Sequence, residues 1–216
     1  MTGTSVLAIK YKDGIMMAGD TLSSYGSLAR FRDTRRIVQA GDYTVVGATG
    51  EVSDYQHIKH LLEEVLIEEY YTEDGHKLGP RNIFEYLSRV MYNRRSNFNP
   101  LWNYLVVAGF KEGDKFLGYV DLRGTTYQAS TIATGYGSMI AQPLLRKAVE
   151  GRENEVTEEE ALKLLEDSMR ILWYRDARAW DKIQVAKVTS EGVTISEPYK
   201  LTTDWTVGEY VKGYGA

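Results

Sequence analysis

No cysteine occurs among the 216 residues. A disulfide framework, a thiolate nucleophile and a thiolate metal site are thereby excluded, and the absence suits a reducing compartment. Only four prolines interrupt the chain, and no linker, repeat or low-complexity tract divides it, so a single domain over 1–216 is the simplest organisation. Long apolar runs are missing as well. They fall far below the roughly 18 residues that a membrane span needs, and no signal-peptide pattern is visible. Nor is there an excess of positive charge: 26 Lys and Arg stand against 30 Asp and Glu, for a net charge of -4. This balance gives no general pull toward nucleic acid or an anionic membrane, and neither is expected as a partner. There is no phosphate loop, no dinucleotide glycine fingerprint and no G-x-S-x-G elbow, so no cofactor is expected either.

What the chain has in quantity is aromatic residues, with 16 tyrosines and four tryptophans. At 43% hydrophobic composition it can bury a sizeable core without staples, and most of these rings are read as strand and core packing. The stretch RRSNFNPLWN, 94–103, is different, since it combines arginine with large rings after a helix. An isolated copy is expected to expose Tyr92, Phe98, Leu101 and Trp102 beside Arg94 and Arg95, the mixture of a subunit contact.

Hydrophobic period predicts strands at TSVLAIKY, at IMMAGD after an Asp13-Gly14 turn, and at RRIVQA and YTVVGATG around Gly41-Asp42. A helix follows, with Tyr55, Ile58, Leu61, Leu62, Val65 and Leu66 on one face behind a Ser53 or Asp54 cap. A second begins at Pro80 and turns Ile83, Leu87, Val90 and Met91 inward. Strands return at 104–110, 116–121 and about 125–133. A third helix covers about 137–150, and a fourth opens on a Thr157–Glu160 capping box and buries Ala161, Leu164, Leu165, Met169 and Leu172. KIQVAKVT and VTISEPY close the series as strands. Few strand pairs have a helix between them, which argues against a parallel sheet. The order predicts two packed antiparallel sheets with helices outside, an α+β layered sandwich.

Chemistry is sparse. His57 and His60 stand three apart and could share a metal, but no third ligand is evident, so they are read as a solvated helix face and no metal is expected. Glu63, Glu64, Glu68 and Glu69 read the same way. The opening TGTSVLAIK places Thr4 directly after Gly3. Cutting that bond would give Thr4 a free amine beside its own hydroxyl, the nucleophile-and-base pair of an N-terminal threonine hydrolase.

The series Gly3-Thr4, DGIMMAGD ending in Asp20, SYGS, RRIV, ATGYGS and YRDARAWD resembles the β-subunits of the 20S proteasome, from Thr4 to about Val188. The resemblance implies the four-layer αββα sandwich of N-terminal nucleophile hydrolases, and partners that are the other α and β subunits of a core particle of stacked heptameric rings. It also implies a place in the cytoplasm and nucleus, and a C-terminal tail, here 204–216, that reaches across subunits and helps join two β-rings. Catalytic members of the family pair the threonine with an aspartate, a lysine, a serine in the glycine turn, and an aspartate and serine after the fourth helix. Thr4, Asp20 and Asp176 keep the family residue; the lysine falls on Arg36, the glycine-turn serine on Tyr136 and the last serine on Ala179.

Each loss has a physical meaning. A guanidinium stays protonated at neutral pH, so Arg36 cannot exchange a proton with a threonine hydroxyl. Tyr136 is expected to fill the cleft beside the nucleophile, and Ala179 removes a donor and acceptor. With Gly3 before it, the nitrogen of Thr4 is a peptide amide without basicity. The sequence therefore predicts a non-catalytic structural subunit, with no working catalytic residue. The rival is an active threonine endopeptidase in which Arg36 replaces lysine and cleavage frees Thr4. An unrelated amidohydrolase on the same fold is disfavoured by Tyr136 and RRSNFNPLWN.

Overall fold

The computed structural model describes residues 1–206 of the chain. Its first half contains β1 (Thr2–Gly3), β2 (Val6–Tyr11), β3 (Gly14–Asp20), β4 (Ser23–Tyr25), β5 (Leu28–Phe31), β6 (Ile37–Gln39) and β7 (Thr44–Glu51), followed by helices α1 (Val52–Thr72) and α2 (Pro80–Ser96). Then come β8 (Asn103–Lys111), β9 (Asp114–Val120), β10 (Thr126–Gln128) and β11 (Thr131–Ala133). Helices α3 (Gly137–Ile140), α4 (Gln142–Val149) and α5 (Glu158–Arg175) precede β12 (Lys182–Thr189), β13 (Gly192–Ile195) and β14 (Tyr199–Lys200).

The strands form two antiparallel sheets. One runs β10-β9-β8-β7-β1-β4-β5 with β6 also on β7, and the other runs β11-β2-β3-β12-β13 with β14 also on β12. Every residue of β3 is buried, because its strand is covered on both faces. Val6, Ala8, Ile15 and Met17 of one sheet meet Val45, Val106, Ala108 and Leu117 of the other in a dry layer between them. The outer faces are covered by α1 and α2 through Ile58, Ile83, Leu87 and Met91, and by α4 and α5 through Leu145, Leu165, Met169 and Leu172. Truncating one such buried leucine to alanine costs roughly 2–5 kcal/mol. The result is the αββα sandwich, as expected from the sequence.

Several local expectations change. The 125–133 run is two strands in different sheets, β10 pairing with β9 and β11 with β2. The third helix breaks at Ala141 into α3 and α4, with Pro143 in the first turn of the latter. The cap of α1 is Glu51 rather than Ser53 or Asp54, and the Asp54 carboxylate instead accepts the Trp102 N–H. The Thr157–Glu160 capping box forms as read. Leu101 is buried in the core under α1 and α2, so it does not belong to the exposed aromatic patch. Of the tail, 207–216 lie outside the described residues; Trp205 stacks edge-on against Trp173 and Tyr174, with ring centroids 5.8 and 5.0 Å away.

Candidate functional site

Thr4 links β1 of one sheet to β2 of the other. Its hydroxyl donates to Asp20 Oδ2 at 2.8 Å, at the end of β3. The second carboxylate oxygen, Oδ1, accepts Nη2 of Arg36 at 2.5 Å, in a pair whose side chains are 2% and 0% exposed. A third donor, the Trp180 N–H, reaches Oδ2 at 2.9 Å. Burial pushes the Asp20 carboxyl up from its ordinary range, while the Arg36 charge and these hydrogen bonds pull it down. Burial is the largest of these influences and leaves the carboxyl above its ordinary range overall, while the donors from Arg36, Thr4 and Trp180 favour its charged form.

Arg36 reaches this position because the segment before β6 passes behind Thr4. Its Nε donates to the Asp20 carbonyl at 3.1 Å. Nη1 donates to the carbonyls of Thr4 at 2.8 Å and Ala48 at 3.0 Å, and Nη2 also reaches that of Ser5 at 3.2 Å. All five guanidinium N–H groups therefore have acceptors, and the group carries no lone pair with which to take a proton. The Thr4 carbonyl accepts a further bond from the Thr49 hydroxyl at 2.7 Å. Thr49 in turn meets the Thr134 hydroxyl at 2.6 Å, which accepts the Val6 N–H at 2.9 Å.

The chain before Thr4 is built into the sheet. β1 lies between β4 and β7, with Thr2 opposite Ser24 and Glu51, and Gly3 opposite Gly50. Only glycine fits at position 3, since a Cβ there would overlap Cδ of Arg36. The slot beside the threonine is thus occupied by the chain's own backbone.

The six positions named from the sequence divide into two groups. Thr4, Asp20 and Arg36 touch one another. Asp176 instead ends α5, where its Oδ1 accepts the Arg178 N–H at 2.9 Å and its carbonyl accepts the Ala179 N–H at 3.0 Å. That turn reaches the site only through the next residue, Trp180. Ala179 is buried and offers no side-chain donor or acceptor. Tyr136 corrects an expectation: its side chain is 57% exposed and does not fill the cleft. The glycine turn it belongs to meets Ser5 through backbone, the Gly137 N–H donating to Ser5 Oγ at 2.8 Å. Thr49 was not singled out by sequence reasoning, and a threonine within a strand carries no signal of its contact. Thr134 opens the T-G-x-G run and could have been found there.

His57 and His60 lie on the exposed face of α1, where His60 Nδ1 is 3.4 Å from Glu63. Among the described residues no three potential ligands gather.

The pattern of one family, described as Proteasome subunit, matches residues 1–188, a span holding all six positions. The chain belongs to the proteasome subunit family. It is 45% identical over 214 residues to the Xenopus laevis proteasome subunit beta type-4, covering 99% of this chain and 88% of that protein. The Arabidopsis thaliana protein of the same name is 46% identical, covering 97% and 84%. The Saccharomyces cerevisiae proteasome subunit beta type-7 is 44% identical, covering 100% and 84%. In this chain the Thr4 hydroxyl meets the Asp20 carboxylate, which is joined to an arginine whose donors are all engaged.

Proposed function

We propose that the chain is a non-catalytic structural β-subunit of the 20S core particle. It occupies a place in a heptameric β-ring, contacts α and β neighbours, and supports ATP- and ubiquitin-dependent protein degradation by catalytic subunits beside it. Its place of work is the cytoplasm and nucleus, where the particle acts. The observation that carries the reading is Arg36. A threonine hydrolase needs a group near the hydroxyl that gives and takes a proton at neutral pH. Arginine stays protonated there, and each of its N–H groups is bonded to a carbonyl or to Asp20. The backbone of β1, paired on both sides, supports the same reading, as does the apolar Ala179.

The Thr4–Asp20 hydrogen bond favours the rival, an active endopeptidase using Thr4. Thr4→Ala in assembled particles separates the two. The three peptidase activities of the particle are expected to stay unchanged; a tenfold loss in one, with assembly intact, establishes the rival instead. Cell fractionation of particles carrying the tagged chain tests the location.

A further inference from the structure

Between Glu85 and Glu112 the chain carries no acidic residue. This stretch holds the last turns of α2 and the loop into β8, with Arg89, Arg95 and Phe98 exposed. Phe98 is 97% exposed and adopts φ +54°. Both features are unfavourable for phenylalanine in an isolated chain: the left-handed backbone suits glycine or asparagine, and the ring gains nothing in water. Asn97 and Asn99 flank it, yet phenylalanine holds the left-handed position.

The conformation is fixed from several sides. The Phe98 N–H donates to the Arg95 carbonyl at 3.2 Å, the Asn99 N–H to that of Arg94 at 3.0 Å, and Arg94 Nε to that of Asn99 at 2.8 Å. Nearby, Tyr92 is exposed beneath the Arg95 guanidinium, which lies 5.4 Å from the ring centroid. Tyr92 is braced by the turn after β9, where Gly124 at φ +78° sits so close that a Cβ would lie 2.9 Å from that of Tyr92. The Asp121 carboxylate tightens this turn by accepting the N–H groups of Arg123 at 2.8 Å and Thr125 at 2.9 Å. The depression between α2 and the turn includes Arg89, Tyr92, Asn93 and Ser96 in its lining, with no carboxylate.

We propose that this face is a docking surface anchored by Phe98, and that its occupant is an apolar pocket rimmed by carboxylates on an adjoining proteasome subunit. The inference rests on the reading of the chain as a structural subunit and adds the anchor and the partner's chemistry. The backbone that carries the ring is already held by its hydrogen bonds with Arg94 and Arg95, so docking it costs little further backbone entropy, which suits an interface anchor. Arg95 over the Tyr92 ring and Arg89 in the lining of the adjoining depression match an acidic rim.

The test is competition for assembly, with tagged wild-type and variant chains expressed equally and their shares of purified core particles measured by mass spectrometry. Phe98→Gly removes the ring while relieving the backbone, so the fold is retained; its share is expected to fall at least threefold, and that of Phe98→Asp at least tenfold. Exposed Tyr71→Ala serves as the control and keeps an equal share. Equal shares for all variants overturn the anchor, whereas absence of the wild-type chain from particles overturns the structural-subunit reading itself. A photoreactive benzoylphenylalanine replacing Phe98 is expected to cross-link to a carboxylate-bearing segment of one neighbouring subunit. Adducts to nucleic acid, to a surface without carboxylates, or none at all in intact particles overturn the proposed partner.

Discussion

Gly3 lies flat against the stem of Arg36, whose head group grips the carbonyls of Thr4 and Ser5 immediately downstream. Arg36 therefore holds the backbone on both sides of the Gly3–Thr4 bond, and it holds Asp20 as well.

Removing the guanidinium leaves a buried carboxylate unpaired. Arg36→Met is expected to cost about 3–5 kcal/mol, the usual penalty for breaking a buried ion pair from one side. Denaturant midpoints of particles carrying the variant measure it, read through this subunit's dissociation. Adding Asp20→Asn, which removes the stranded charge, is expected to recover part of the loss.

Placing a lysine at position 36 is not expected to create a reaction. Arg36→Lys supplies an ammonium with three donors where five were satisfied, β1 remains paired between β4 and β7, and Ala179 still offers no side-chain donor or acceptor. Catalytic groups that act as a unit fail together. Intact-mass measurement is expected to find the Gly3–Thr4 bond uncut in the variant; a chain beginning at Thr4 refutes this.

Trp205, seated on Trp173 and Tyr174, fixes where the tail leaves the sandwich. Deleting 206–216 keeps that contact and removes the segment proposed to reach across subunits. Joining of half-particles is expected to slow while the sandwich stays folded. Native gels with a salt challenge decide it, and normal yields of salt-resistant double-ring particles count against the tail as a clamp.

The sandwich was legible because its signals are local. Alternation and burial mark β2, β3, β7 and β8, and the Thr157–Glu160 box marks the start of α5. β1 escaped notice because two residues have no period, and the exposed β5, LARF, lacks an apolar face to alternate. The 125–133 run reads as one strand, since only pairing partners reveal that Ala129 and Ser130 carry it from one sheet to the other. Leu101 and Tyr136 lie on the opposite sides of the surface from those expected, because the packing that buries Leu101 under α1 and α2 and leaves Tyr136 exposed comes from distant parts of the chain. At the site, Thr4, Asp20 and Arg36 were readable as letters. The five acceptors of Arg36 were not, because they come from four separate backbone positions and one side chain.

The pairing order of the smaller sheet has a consequence during synthesis. β2 and β3 form a hairpin over residues 6–20, yet the outer edge of β2 waits for β11 and that of β3 for β12. Until residues 131–133 and 182–189 leave the ribosome, an apolar two-stranded ribbon with both edges unpaired is exposed to the cell. Such edges template association with other chains. The hairpin thus carries an open edge from the time Asp20 is made until Lys182 follows, and a ribosome stalled between Ala133 and Lys182 would hold a hairpin capped on one edge and open on the other.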